Sequence, residues 1–448
     1  MSVFQNVSAF LGRNGFPIGG PDINSVIAGL LYDMQQGLDA GSGEGPMDAR
    51  QPMIPTWGMP PEKTPKNTSV VVIDAGGTNF RSCLVTFDAE GNPSISDLEK
   101  CSMPGIEREL SKGEFFDQIA TNLDHLKNKS TRIGFCFSYA MKILPDGDGE
   151  VLSFSKEINA KAVIGSKVGA CLSEALVKRG WNKPERIVLL NDTTAALLAG
   201  ASRNVPGMKY SSYVGLILGT GMNSAYIEYN PIKKIEGQVA TPPPAQIVVC
   251  ESGMFDKLPR SSFDIAFDSS TNTPGRYVME KMCSGAYLGP LATFALKAAA
   301  MEGLFSEQVA SRLAALPKAD LYDIDQFLYG PYRHDTVLGD VVAPGTQDDY
   351  DTMYLILDAM IERSARLTAA VISSCVIKSG KGVCPTKPVC VLCNGTTFYK
   401  THNLRSRIHG YLDKYLSDQR HLYFDIVAMD NDITLGTAIG ALSSSAEN

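Results

Sequence analysis

The chain has no run of eighteen consecutive apolar residues, so no membrane span is expected. Its N-terminal stretch, MSVFQNVSAFLGRNGFP, has no basic region followed by a long apolar run, so no signal peptide is expected either. Histidine is scarce: there are five, and none stands at metal-ligand spacing to another. No GxSxG turn occurs, and hydrolase and metalloenzyme readings fall away. Positive charge is also in deficit. A net charge of −7 excludes a broad nucleic-acid surface, which needs a cationic excess. Any anionic ligand must then be held by backbone donors and a few placed cations. Neither a Walker lysine loop nor a GxGxxG entering a helix is present, which sets aside the nucleotide folds built on them.

What is present is ordinary for a globular protein: 44% hydrophobic and 20% charged residues. At 448 residues the expectation is one very large or two moderate domains. Ten cysteines in a chain this long, without a secretory signal, predict reduced and mostly buried thiols in a cytoplasm. The tightest group is Cys375, Cys384, Cys390 and Cys393. Cys390 and Cys393 sit in PVCVLCN, a strand pattern in which residues three apart face opposite sides, so joint chelation of zinc requires a bent strand.

Along the chain, the first 65 or so residues read as mainly helical and then loop-like, with helical spacing in SVIAGLLYDMQQGL. A strand-rich segment runs from Thr68 to about Lys100, with DAEGN as a turn. TRIGFCFS and RIVLL read as further strands, and SSYVGLILGTGMNSAYIEYN as a second hairpin. From MEKMCSGAYLGPLATFALKAAAM to YLILDAMIERSARLTAAVISSC the pattern is helical, with HDTVLGDVVAPGTQDD read as a surface loop. KPVCVLCNGTTFY is another strand and turn, and YFDIVAMDNDITLGTAIGAL a strand followed by a small-residue helix. Strands interleaved with helices over this length predict an α/β fold in two lobes.

Three stretches rhyme. VVVIDAGGTN and VGLILGTGMN are apolar strands ending in a Gly/Thr turn and followed by another strand, and VCVLCNGTT is a third strand running into Gly and Thr. Glycines let backbone N–H groups converge on a ligand, and threonine adds a hydroxyl donor. One such turn is commonly just a tight hairpin. Three after buried strands suit a polyphosphate gripped from several sides. Asp74 has a bland reading as a turn initiator, and a functional one as a carboxylate holding hydrated magnesium near the phosphates. Asn191 or Asp192 could merely cap the helix after RIVLL. The pair also stands at a strand end, where open α/β sheets place their ligands.

With these motifs in order, the chain resembles the eukaryotic-type hexokinases of the actin-like ATPase superfamily. IDAGGTNFR and LGTGMNSAYIE resemble the family's two phosphate motifs, and LLNDTTAALLA its catalytic aspartate segment. FSYAMKILPDGDGEVLSFSKEI resembles the stretch carrying the sugar-binding serine and then the Thr-Lys pair. VVCESGMF and NTPGRYVMEKMCSGAYLG are similar to the two sugar-binding glutamate segments, and LCNGTTFYKTH to the adenosine-side loop. Even QPMIPTW resembles the family's lead-in. The likeness runs from about Met53 to Leu442.

The resemblance implies a two-lobed actin-like ATPase (ribonuclease H-like) fold around a deep cleft. It implies a small domain of residues 67–205 and 433–448, and a large one of 1–66 and 206–432. It places Ser138, Ser155, Lys156, Asn191, Asp192, Asn223, Glu251 and Glu280 at the sugar. Asp74, Gly76, Gly77, Thr78, Asn79 and Arg81 take the first phosphate loop, and Gly219, Thr220 and Gly221 the second. Asn394, Gly395 and Thr396 take the adenosine side. Asp192 is implied as the base, with Lys156 and Arg81 as catalytic cations and Asp74 as a magnesium residue acting through water. The implied substrates are ATP, with Mg2+, and D-glucose, mannose or fructose, phosphorylated at the 6-hydroxyl as the entry step of glycolysis. No nucleic-acid or membrane partner is implied. Two departures stand out: the family's Trp-Thr-Lys-Gly is Phe-Ser-Lys-Glu at 154–157, and the Trp that commonly follows the Glu251 position is Ser252. Both leave the polar contacts and alter the pocket wall. The cysteine-rich zinc loop of the repressor-related bacterial sugar kinases has no match. A hexokinase-like sugar sensor with little catalysis, and a chaperone or filament ATPase, are the alternative classes. The latter would not need the sugar constellation.

Overall fold

The computed structural model describes residues 2–39, 50–76, 79–154, 158–203 and 207–443. A two-residue strand, β1 (Ile54–Pro55), precedes the β-branched run that becomes β2 (Thr68–Gly76). β2 pairs antiparallel with β3 (Asn79–Phe87), which pairs with β4 (Pro93–Ser102). Between β3 and β4, Asp88 folds the turn on itself by accepting from the Glu90 and Asn92 amides at 3.0 and 2.7 Å. β5 (Arg132–Phe137) lies parallel to β2. A hairpin of β6 (Ala140–Ile143) and β7 (Gly149–Ser153) follows, and then β8 (Arg186–Leu190) lies parallel to β5. The spatial order is β4-β3-β2-β5-β8.

The second sheet repeats this plan. β9 (Ser212–Leu218), β10 (Met222–Glu228) and β11 (Gln246–Val249) run antiparallel in succession. β12 (Val389–Asn394) adds parallel to β9, and β13 (Phe424–Val427) parallel to β12. The order is β1-β11-β10-β9-β12-β13. Parallel additions need crossovers, and here the crossover between β11 and β12 is the main helical region. It ends in Gln347–Ser379, a helix of 33 residues.

The segment HDTVLGDVVAPGTQDD, expected as a surface loop, holds the helix Val337–Val342 and the first turn of Gln347–Ser379. Thr336 caps the first by accepting from the Gly339 amide, and Thr346 opens the second with a reciprocal capping box to Asp349. Leu338, Val341 and Val342 are buried, so the short helix is held by packing that its own length could not supply.

Two helices join the lobes. Asp192–Ser202 leaves β8 of the first sheet and packs on β9 and β12 of the second, while Asp432–Leu442 leaves β13 of the second and packs on β2 and β5 of the first. The two helices also pack on each other. A Cβ built on Gly436 would overlap the Ala195 carbonyl oxygen, and one on Gly134 would stand 2.5 Å from the Thr437 carbonyl. Small residues at these points are what allow the close approach. The seam core contains Val70 and Val72 from one sheet, Ala225, Ile227 and Val249 from the other, and Leu197, Leu435 and Ile439 from the helices. Among the described residues no helix is long and apolar enough to cross a membrane.

Candidate active site

Strand ends from both sheets deliver the polar residues. Asp74 lies two residues before the end of β2, opposite Arg81 on β3, whose Nη1 is 3.9 Å from Asp74 Oδ2. Burial raises the Asp74 carboxyl, the Arg81 charge pulls it down, and the Asp432 charge raises it further. Gly76 ends β2 and Asn79 begins β3. A Cβ on Gly76 would meet Ser138 Cβ at 3.2 Å, so the first turn and Ser138, just past the end of β5, are neighbours. Gly77, Thr78, Ser155 and Lys156 lie outside the described residues.

The second turn, Gly219–Gly221, joins β9 to β10. Its outer carbonyls are taken: Gly219 O accepts from the Gly285 amide at 2.8 Å and the Thr397 hydroxyl at 2.9 Å, and Thr220 O from the Ala286 amide at 3.1 Å. The third element begins at Asn394, the last residue of β12. Gly395 follows with φ 120°, where a Cβ would overlap the Leu218 carbonyl, and Thr396 opens a short helix. The second and third segments therefore meet, Gly395 against Leu218 and the Thr397 hydroxyl on Gly219 O, while the first lies beside Ser138.

Asn191 does cap the helix after β8: its Oδ1 accepts from the Thr193 amide at 2.9 Å and the Thr193 hydroxyl at 2.6 Å. That leaves its NH2 as a donor. Asp192 Oδ1 also accepts from the Thr193 amide, at 2.8 Å. Burial pushes the Asp192 carboxyl up to about 6, against the Thr193 amide and aided by the charge of Asp74. Asn223, on β10, donates to Glu251 Oε1 at 2.9 Å, while its own carbonyl accepts from the Ser224 and Ser252 amides. Glu251 has a left-handed backbone, φ 56°, uncommon for a residue with a side chain. Its carboxyl is pushed up to about 7 by burial, opposed by the Asn223 amide and aided by Asp192 and Glu280. Glu280 Oε2 accepts from the Met222 amide at 2.8 Å and lies beneath Gly221, where a Cβ would stand 2.6 Å away. It too is raised, by burial and by Asp192, against the Met222 amide and Lys281.

Asp192, Glu251 and Glu280 thus act on one another's ionisation, and Asp74 acts on Asp192. The chemistry on offer is the amides of Asn191 and Asn223 and the carboxylates of Asp192, Glu251 and Glu280, each carboxylate with one oxygen bonded to no described residue, beside glycine turns. This suits a neutral polyhydroxyl ligand next to an anionic one.

Asp432 was not among the residues expected here. It opens the helix Asp432–Leu442 and accepts from Asn394 Nδ2 through both oxygens, at 2.7 and 2.8 Å. The available signal was an Asp at the head of a small-residue helix, which reads equally as a cap. Ser252 is buried and shares a 2.5 Å hydrogen bond with Ser224. Phe154 packs among Phe115, Phe137 and Tyr139. Lys281, next to Glu280, is buried and bonds Asp268 at 2.6 Å, Thr271 at 2.9 Å and the Thr273 carbonyl at 2.6 Å. This anchors the short helix that carries Glu280.

Comparison with known proteins gives one answer. Two family models, both described as Hexokinase, match residues 13–202 and 213–443. Hexokinase-1 of Schizosaccharomyces pombe is 30% identical, over 60% of this chain and 56% of its own length. Hexokinase of Kluyveromyces lactis is 26% identical, over 95% and 89%. The chain thus spans little more than half the length of Hexokinase-1 of S. pombe and of Hexokinase-2 of Candida albicans, 56% and 57%. The hexokinase from Schistosoma mansoni complexed with glucose superimposes with a TM-score of 0.76 at 23% identity, covering 98% of this chain and 99% of that one. A second hexokinase crystal structure gives 0.79 at 20%, with the same coverage. These two likenesses establish a shared fold.

Proposed function

This chain belongs to the hexokinase family, and on that premise we propose that it transfers the γ-phosphoryl group of ATP to the 6-hydroxyl of D-glucose and related hexoses, mannose and fructose among them. The observation that carries the reading is the convergence of Asp192 with Asn223, Glu251 and Glu280 at the strand ends that also bear the glycine turns.

Phosphoryl transfer needs positioning and charge neutralisation more than covalent chemistry. Asn191, Asn223, Glu251 and Glu280, with Ser138, Ser155 and Lys156, hold the sugar hydroxyls. Asp192 accepts the proton of the 6-hydroxyl, late enough that an ionised aspartate suffices. The Gly76–Asn79 and Gly219–Gly221 turns cradle the phosphates. Arg81 and Lys156 offset their charge, and Asn394, Gly395 and Thr396 face the adenosine. The residues fit a magnesium ion: the Asp74 carboxylate accepts no hydrogen bond from a described residue, and Arg81 at 3.9 Å leaves both its oxygens open to hard-cation coordination. Asp74 would hold that ion through water, and the ion would supply neutralisation of the phosphate oxygens. The same reading assigns residues 67–205 and 433–448 to a small domain and 1–66 and 206–432 to a large one. The cytoplasm is the proposed compartment, in keeping with ten cysteines that are all free thiols.

The test is ADP release with Mg2+ and ATP, with and without sugar. Glucose should drive it. Galactose, whose 4-hydroxyl points the other way, should be a poor substrate, because a pocket built to bond a hydroxyl leaves its own groups unpaired when that hydroxyl is misplaced. Glucose binding without glucose-dependent ADP would instead indicate a sugar sensor. Sugar-independent ATP hydrolysis would indicate a chaperone- or filament-type ATPase.

A further inference from the structure

Asp432 and Asn394 meet at the ends of neighbouring segments, Asn394 closing β12 and Asp432 opening the helix after β13, its parallel partner. Asp432 is 5% exposed. Its carboxylate is an acceptor only, so the Asn394 amide must turn its NH2 toward it, and Nδ2 reaches both oxygens at 2.7 and 2.8 Å. Asp432 Oδ1 is fixed in turn by the Ile433 amide at 2.8 Å. Asn394 cannot move away, because Gly395 lies against the Leu218 carbonyl and the Thr397 hydroxyl bonds Gly219 O at 2.9 Å. One polar atom remains uncommitted. The Asn394 carbonyl oxygen is bonded to no described residue, and the side chain is only partly buried, beside the second glycine turn.

A lone carbonyl oxygen next to a carboxylate cannot take a phosphate, which is itself an anionic acceptor. It can take a neutral donor. We propose that Asp432 is a positioning residue that turns the carbonyl of Asn394 toward the nucleotide. The site then selects its nucleotide through a hydrogen-bond donor on the nucleoside portion, either a ribose hydroxyl or the amino group of the base. This rests on the nucleotide half of the function proposed above.

The experiment compares ATP with 2′-deoxy-ATP, 3′-deoxy-ATP and inosine triphosphate, each with Mg2+. Binding is measured by calorimetry, and kcat/KM at saturating glucose. In the unmutated protein, the analogue lacking the recognised donor should bind about 5- to 100-fold more weakly than ATP, the cost of an unpaired acceptor. The deoxy and inosine arms tell ribose from base. Asp432→Leu frees the amide to rotate and should shrink that preference to within about threefold. Asp432→Asn, whose carbonyl can still accept from Asn394, should keep it. Asn394→Ala removes the acceptor itself and should lose the preference, which covers the case of Asp432→Leu failing to fold. Equal binding of all four nucleotides by the unmutated protein would overturn the proposal. So would an undiminished preference in Asn394→Ala, or in an Asp432→Leu protein of unchanged melting temperature. Glucose-dependent ADP release with no analogue preference overturns this inference alone, whereas absent ADP release overturns the function on which it rests.

Discussion

Asp192 accepts a cap-like bond at one oxygen, and its other oxygen is bonded to no described residue, in a setting whose burial pushes its carboxyl up to about 6. Asp192→Asn is nearly isosteric and keeps the Thr193 bond, so glucose affinity by calorimetry should stay close to the unmutated value. Turnover should fall roughly 10²–10⁴-fold, the usual loss when a general base is removed. Turnover within a few-fold of the unmutated protein would refute the assignment. The free base must be ionised to work, so kcat/KM should rise with pH through about 6 before levelling. Glu251 shows the opposite face of burial. Its carboxyl stands at about 7 instead of the ordinary 4.5. Below pH 4.5 the group is protonated folded or unfolded and costs nothing. Between about pH 4.5 and 7 the unfolded chain ionises first, so stability is lost as pH rises through this window. Glu251→Gln should remove that loss. Urea unfolding should show the variant gaining on the unmutated protein from pH 4.5 to pH 8, by up to roughly 3 kcal/mol. A gap that does not change with pH would count against it.

At the level of elements, the two linking helices depend on glycines that lack room for a methyl group. Gly436→Ala forces a Cβ onto the Ala195 carbonyl. It should destabilise by about 1–3 kcal/mol in denaturant unfolding, the range for overpacking. Gly410, within the helix Leu404–Leu412, has nothing within 4 Å of its would-be Cβ. Gly410→Ala should therefore stabilise by up to about 1 kcal/mol through helix propensity alone. Equal effects from the two substitutions would show that close helix packing is not what the glycine at 436 provides. The second glycine turn works on the same principle. Gly221 and Gly253 both lie where a side chain would strike Glu280, so Glu280 occupies space that only glycine leaves open.

The molecule is built on two large sheets that share one topology apart from the added β1, and each sends a helix onto the other. The linking helices and residues of both sheets share the seam core, so a rotation of the lobes would turn on this seam. Glucose bound between Asp192 on one side and Asn223, Glu251 and Glu280 on the other should draw the lobes together and expel water, which otherwise competes as phosphoryl acceptor. Small-angle scattering at saturating glucose should give a smaller radius of gyration than without sugar. An identical profile would exclude closure on binding.

Each glycine turn is written into a few adjacent residues: an apolar strand, then Gly and Thr, then another strand. The chemistry that makes a hairpin there is local, and so both β2–β3 and β9–β10 were legible from the chain alone. The same holds for Asn191, whose cap needs only the next two residues. The motif order that marks the family is likewise a property of the sequence. The helix Val337–Val342 was not legible, because its stability comes from burying Leu338, Val341 and Val342 against distant elements. Nor was the tie between Asn394 and Asp432, 38 residues apart, which exists only because β12 and β13 lie side by side. The raised carboxyls of Asp192 and Glu251 depend on both sheets excluding water from one place and on acidic groups from separate segments meeting there. Hydrogen-bonding partners within a turn are set by chain connectivity. Burial and charge coupling are set by what the rest of the molecule packs around them, and only the tertiary structure decides those.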